Sequence, residues 1–272
     1  DEFQQFSTPP NLAYVAAWAA NINKDDIVLE PSAGVGGLAV FAKKAGAKLV
    51  VNELSARRLE LLKELGFDQV FNENAEQLDN ILPGNIKPNV VIMNPPFSAT
   101  AGRMEGKRST KFAEQHIEQA LSRLETSGRL VMIVGRGMAD DAASFKDWWK
   151  KIKQEYNVRL NIGIDGSNYK KYGTGFDVQL IVADKTGPTT EPTVTGKLTN
   201  LEDILPFLEV IRNERAGPAK QATGKRTGKG DTEKGRAKTR PEPVVSVPTD
   251  GVGTEERAGE DRGRNKPQRD NG

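Results

Sequence analysis

In Ile27-Val28-Leu29-Glu30-Pro31-Ser32-Ala33-Gly34-Val35-Gly36-Gly37, three apolar residues run into an acid, a proline and a glycine-rich turn. A short apolar run bounded in this way predicts a buried strand opening onto a loop, and a helical pattern follows over 37–44. The rhythm repeats outward. Further strands are expected at 48–51, 70–71, 90–93, 129–134, 158–164 and 177–183, and further helices at 55–65, 111–124 and 144–156. Before the first strand, Thr8-Pro9-Pro10 predicts a helix opening, with the hydroxyl as cap and proline at the first helical position; Leu12, Val15, Ala16 and Ala19 then form its apolar stripe. Strands alternating with helices predict an α/β fold with a mostly parallel seven-stranded sheet and helices on both faces. The turn Lys170-Lys171-Tyr172-Gly173-Thr174-Gly175 is too short to hold a crossover helix, so the last strand is expected to run antiparallel.

The chain has 272 residues, 36% hydrophobic and 28% charged, enough for one core and a less ordered remainder. The expected domain is 1–214, closed by an apolar helix over 201–211 that Pro206 interrupts. Residues 215–272 hold 14 Lys/Arg against 9 Asp/Glu with few large apolar side chains, and are expected to be a disordered charged tail or linker. Cysteine is absent, which excludes disulfides and cysteine-based zinc sites and suits a cytoplasmic location. No metal is expected: His116, the single histidine, has no partner at ligand spacing and is read as structural. In Trp148-Trp149, one ring is expected in the core and one at the surface. No apolar run approaches the ~20 residues of a membrane span. The chain opens on Asp1 with an internal-looking segment, which suggests a piece of a larger protein.

The first loop lies where an open α/β sheet binds ligands, beyond the carboxyl ends of its strands. Glu53 follows the second strand, 23 positions after Glu30, and an acid about 20 residues past a glycine turn commonly accepts ribose hydroxyls. A nucleoside cofactor is implied, although a glycine turn after a strand also occurs for packing alone. A dinucleotide would favour Gly-x-Gly-x-x-Gly, whereas this loop reads Gly-x-Gly-Gly after an acid and a proline. A methionine-bearing nucleoside fits, with Glu30 facing its cationic region. Asn74-Ala75-Glu76 lies where the adenine ring of that cofactor would rest; Asn74 either offers its amide to the ring edge or makes an ordinary Asx turn.

Val90-Val91-Ile92-Met93 runs directly into Asn94-Pro95-Pro96-Phe97. The prolines stiffen the turn and remove two N–H donors, so carbonyl oxygens there can accept from an NH2 group without competition. The Asn94 side-chain carbonyl and the Pro95 main-chain carbonyl are the candidate acceptors, and Phe97 the candidate stacking ring. Arg103, Lys107, Arg108 and Lys111 follow in a polar loop that is either a phosphate clamp beside the pocket or a solvated segment.

These residues, in this order, resemble the S-adenosylmethionine-dependent amino-methyltransferases, and most of all the adenine-N6 DNA methyltransferases, over roughly residues 4–185. The resemblance implies a Rossmann-like methyltransferase fold with S-adenosyl-L-methionine as cofactor and nucleic acid, DNA first, as partner. It implies cofactor contacts at Thr8, Pro9, Glu30, Pro31, Ser32, Ala33, Gly34, Gly36, Glu53, Leu54, Asn74, Ala75 and Asn94. Catalysis falls to Asn94, Pro95, Pro96 and Phe97, and Tyr172 to Val182 resembles a hairpin that walls the target pocket. No large DNA-reading domain follows residue 185, and in this the chain is similar to methyltransferase modules of strawberry-notch-like helicase fusions, where helicase-like or other DNA-handling domains bring the substrate. The Asn-Pro-Pro-aromatic motif also occurs in protein glutamine-N5 and rRNA guanine-N2 methyltransferases. A non-catalytic nucleic-acid-binding scaffold of the same fold is the remaining alternative.

Overall fold

The structure, a computed structural model, describes residues 8–95, 111–172 and 175–217. Eight strands form one sheet: β1 (Ile27–Glu30), β2 (Lys48–Asn52), β3 (Gln69–Phe71), β4 (Val90–Met93), β5 (Arg129–Gly135), β6 (Asn157–Ile164), β7 (Val178–Asp184) and β8 (Val194–Leu198). Their spatial order is β3-β2-β1-β4-β5-β7-β6-β8. The helices are α1 (Pro10–Ala19), α2 (Ala39–Lys44), α3 (Ala56–Glu64), α4 (Leu78–Ile81), α5 (Lys111–Arg123), α6 (Lys146–Glu155) and α7 (Leu205–Asn213).

β4 and β7 are buried along their whole length and β5 over all but Gly135, as strands covered on both faces must be. One apolar layer joins α1, α2, α3 and α7 to one face of the sheet. The other joins α4, α5 and α6 to the opposite face. The chain leaves β1 toward β2 and β3, then returns to place β4 on the other side of β1. That reversal opens a crevice at the carboxyl ends of β1 and β4, where ligands of such sheets bind.

Four expectations are corrected. The sheet has eight strands rather than seven, and the antiparallel strand is not the last: β7 runs antiparallel to both β5 and β6, and β8 follows it, parallel to β6. β8 is an edge strand of half-exposed residues, so it lacks the apolar signature. Thr8 does not cap α1. The tandem prolines shift the cap to Pro9, which makes no side-chain cap, and Thr8 is engaged elsewhere. Pro206 stands in the first turn of α7 and opens that helix instead of breaking it. Trp148 and Trp149 are both buried: Trp148 reaches Glu118 of α5 and Trp149 the main-chain oxygen of Met138, each through its indole N–H.

His116 is buried in α5, and burial draws its pKa down to about 4. Among the described residues no helix is long and apolar enough to cross a membrane, and no three His, Cys, Asp or Glu side chains cluster as metal ligands.

Candidate active site

Four polar residues end or follow apolar strands along the carboxyl rim: Glu30 at β1, Asn52 and Glu53 at β2, and Asn94 at β4. The register Val28↔Val90 and Leu29↔Val91 sets the exit of β4 beside that of β1, which brings Asn94 next to the glycine loop.

Glu53 organises that loop. One carboxylate oxygen accepts the Gly34 N–H at 2.8 Å, the other the Ser55 N–H at 2.8 Å, and Arg58 lies 3.7 Å away. The turn needs glycine: Gly34 has φ +59° and Gly36 φ +83°, and a Cβ at Gly36 would come within 2.9 Å of Leu65. Asn52, which the sequence reasoning passed over, ties three segments together. Its NH2 donates to the main-chain oxygens of Pro31 and Glu73, its side-chain oxygen accepts the Glu73 N–H, and its own carbonyl accepts from Ala33. The available signal was a lone carboxamide ending the apolar run Leu49-Val50-Val51.

Glu30 is buried, and its Oε2 has no hydrogen-bond partner among the described residues. Burial pushes its pKa well above the usual carboxylate range, with the charge of Glu53 adding to the rise and a hydrogen bond to the Ala39 backbone opposing it. Leu54 and Val35 are exposed apolar side chains, at 51% and 43%, on either side of Glu53 and Gly34. Asn74 makes the Asx turn, its oxygen accepting the Glu76 N–H at 3.0 Å, which leaves its NH2 as the group for a ring edge. Ala75 beside it is buried.

Asn94 is half-buried and Pro95 buried. Asn94 Nδ2 donates to Thr8 Oγ1 at 2.9 Å, and Asn94 Oδ1 is buried with no partner among the described residues. Hydrogen bonds thus tie Thr8 to Asn94, Pro31 and Ala33 to Asn52, and Gly34 to Glu53. Pro96, Phe97, Arg103, Lys107 and Arg108 lie outside the described residues; Lys111 is the first residue of α5.

The donor set fits S-adenosyl-L-methionine. A buried, partnerless carboxylate oxygen suits a cation, and a carboxylate beside turning glycines suits ribose hydroxyls.

Comparison with known proteins agrees. The sequence profile of the "Methyltransferase small domain" family matches residues 17–156. The type II restriction enzyme and methyltransferase RM.BcgI of Heyndrickxia coagulans is 23% identical over 224 residues, 72% of this chain and 33% of that protein. The tRNA (guanine(10)-N2)-dimethyltransferase of Methanothermobacter thermautotrophicus is 23% identical over 167 residues, 58% of this chain and 47% of that one. The chain therefore spans less than half the length of these two relatives. A modification subunit of a putative type I restriction enzyme from Vibrio vulnificus shares the fold, with TM-score 0.59 and 17% identity over 78% of this chain and 54% of that chain. With its mostly parallel sheet, its glycine loop and the matched span in place, the chain belongs to the methyltransferase small domain family, and S-adenosyl-L-methionine is its cofactor.

Proposed function

We propose that the chain transfers a methyl group to an exocyclic amino nitrogen on a planar carbon, and that this nitrogen is N6 of adenine in DNA. The observation that carries the reading is Asn94. Its NH2 is held by Thr8 while its carbonyl oxygen stays buried and unpaired among the described residues. An unsatisfied buried acceptor costs about 1–3 kcal/mol, and a substrate N–H donated to it removes that cost.

Asn94 Oδ1 and the Pro95 carbonyl each accept one N–H of the amine, which turns the nitrogen lone pair out of the ring plane. Held by Glu30, Glu53 and the glycine loop, S-adenosyl-L-methionine would supply an electrophilic methyl group whose bond to sulfur would be exchanged for one to the amine nitrogen, the electron pair staying on sulfur and the surplus amine proton passing to solvent. The chain's own contribution is position and exclusion of water, without a strong general base. In this reading Phe97 stacks on the target base and Arg103, Lys107, Arg108 and Lys111 hold phosphates around a base swung out of the duplex. Other DNA-handling domains present the strand.

The restriction-modification relatives support DNA. The tRNA-modifying relative supports a second reading, guanine N2 in RNA. Both bases present an NH2 on a planar carbon, so the same two acceptors serve either. Offering DNA, tRNA and bulk protein together with a labelled methyl donor separates the readings. Label is expected in N6-methyladenine; label confined to RNA or to protein would refute the assignment to DNA. Asn94→Ala is expected to lower transfer by roughly 10²–10³-fold while calorimetric affinity for the cofactor changes only a few fold. Undiminished turnover in that variant would remove Asn94 from the chemistry.

A further inference from the structure

Away from Asn94 and Glu53, the sheet buries two carboxamides that methyl transfer does not use. Asn161 in β6 is 2% exposed and Gln179 in β7 is 4% exposed. In the β6–β7 ladder Asn161 stands opposite Ile181 and Gly163 opposite Gln179, so the two carboxamides are diagonal neighbours on one face of the sheet. Asn161 Nδ2 donates to the Met138 main-chain oxygen at 3.2 Å. Asn161 Oδ1 and Gln179 Oε1 have no partner among the described residues. Both side chains line a cleft of about 250 Å³, with Gly163 between them and Arg136, Asp177 and Lys197 along its edge.

We propose that this cleft binds the amino-bearing edge of an unpaired nucleobase that flanks the target, an adenine or a cytosine; the proposal rests on nucleic acid being the substrate. Two buried carboxamides that line one cleft, each with an oxygen lacking a partner among the described residues, call for N–H donors, and carboxamides pair with amino edges of bases. The ligand is neutral. Arg136 and Lys197 lie 3.2 and 2.9 Å from Asp177, and Lys197 lies 3.2 Å from Asp165, so both cations at the edge are already paired, and the two buried carboxamides carry no charge. Asp140 and Asp141 also line the cleft, Asp140 paired with Lys153, so an anion would meet carboxylates as well as two carbonyl dipoles.

Size and position agree. The volume falls just under the range of about 300–1,000 Å³ that suits drug-sized ligands, which fits one base better than a whole nucleotide. Arg136 follows the carboxyl end of β5, and β5 lies beside β4, whose exit carries Asn94. With strands about 4.8 Å apart, the cleft lies on the order of 10–15 Å along the rim from Asn94, within reach of the same polynucleotide.

The test uses the full chain carrying Asn94→Ala, so that the catalytic acceptor adds no amino preference of its own. Fluorescence anisotropy measures labelled single-stranded oligodeoxynucleotides made of adenine, cytosine or thymine alone. Adenine and cytosine strands are expected to bind roughly tenfold tighter than thymine, which has no amino group. Asn161→Leu with Gln179→Met is expected to bring both down to the thymine value and leave thymine unmoved. Neither lost oxygen has a partner, and Met138 keeps the Trp149 indole N–H, so the double variant is expected to melt no lower than its parent. Gly163→Ala, whose Cβ would lie 3.4 Å from the Gln179 carboxamide, narrows the cleft with both acceptors retained and is expected to weaken adenine and cytosine binding as well. Equal affinity for the three strands, affinities unmoved by these substitutions, or no binding of any strand overturns the proposal. An amino preference lost in the double variant, in a protein whose wild type methylates no nucleic acid, leaves this site standing and removes the methylation reading; adenine methylation without the preference does the reverse.

Discussion

Glu30 shows what burial does to a single carboxylate at a binding crevice. Its Oε2 has no partner, and burial raises its pKa above the usual carboxylate range, so the free protein holds a proton there at pH values where an exposed glutamate has lost it. The folded-state pKa is raised, so the protein without cofactor loses stability as pH rises through that pKa, because the unfolded chain releases the proton at lower pH. A cationic cofactor reverses the balance. It favours the carboxylate, so binding expels the proton and affinity grows as pH rises from the ordinary glutamate range through the raised value. Calorimetry in two buffers of different ionisation enthalpy is expected to show proton release in the wild type and none in Glu30→Gln, whose affinity should be flat across the same range. A wild-type affinity independent of pH would remove Glu30 from contact with the cofactor's charge.

Between elements, the decisive contact is the one from the segment before α1 to the end of β4. Thr8 and Asn94 are 86 positions apart, and their hydrogen bond fixes which way the Asn94 carboxamide is turned, which on the proposed function decides whether its oxygen meets the substrate amine. In Thr8→Val that choice is lost: the amide can turn, and half of its orientations present NH2 where an acceptor is needed. Turnover is expected to fall about twofold as the two orientations become equally populated once the hydrogen bond is lost, with the KM for the cofactor little changed; Thr8→Ser should restore it. Unchanged turnover in Thr8→Val would show that the hydroxyl does not set the orientation of the Asn94 amide. Local pattern made the strands with both faces covered readable: β4 was expected at 90–93 and found there, and Glu30, Glu53 and Asn94 stood out as polar residues closing apolar runs. The partner of Thr8 was not readable, because a capping hydroxyl and a positioning hydroxyl look alike until the sheet brings residue 94 back to residue 8. β8 escaped for a different reason. Val194-Thr195-Gly196-Lys197-Leu198 alternates nothing strongly, since an edge strand buries little. Gln179 is a lone polar residue within an apolar run and Asn161 one of three polar residues in β6, and no local pattern separates either from a satisfied core carboxamide.

Across the whole molecule the two ends of the sheet treat buried polar groups in opposite ways. At the amino end the charges are paired. Arg129 grips Asp184 through two hydrogen bonds of 2.6 and 2.9 Å and donates to the Ala19 carbonyl, and Arg215 grips Asp26 at 2.7 and 2.8 Å. At the carboxyl end Glu30, Asn94, Asn161 and Gln179 each keep an oxygen without a partner among the described residues. One end closes the fold, and the other holds the groups to which binding is proposed. Arg215 also donates to the Asn21 carbonyl, and Arg212 stacks on Trp18 at 5.0 Å, so the end of α7 is fastened to the end of α1. Composition alone assigned Arg215 to the tail, yet its side chain is 2% exposed. We therefore propose that the domain ends just after it and that residues 218–272 add nothing to its stability. Arg215→Ala leaves Asp26 buried without its countercharge, a loss of about 3–5 kcal/mol, which in a domain of this size lowers the melting temperature by roughly 10 °C. Truncation after Gly217 keeps the pair and is expected to leave the melting temperature where it was. A truncated chain that melted as early as Arg215→Ala would show that the basic segment beyond 217 packs on the domain, and would move the boundary accordingly.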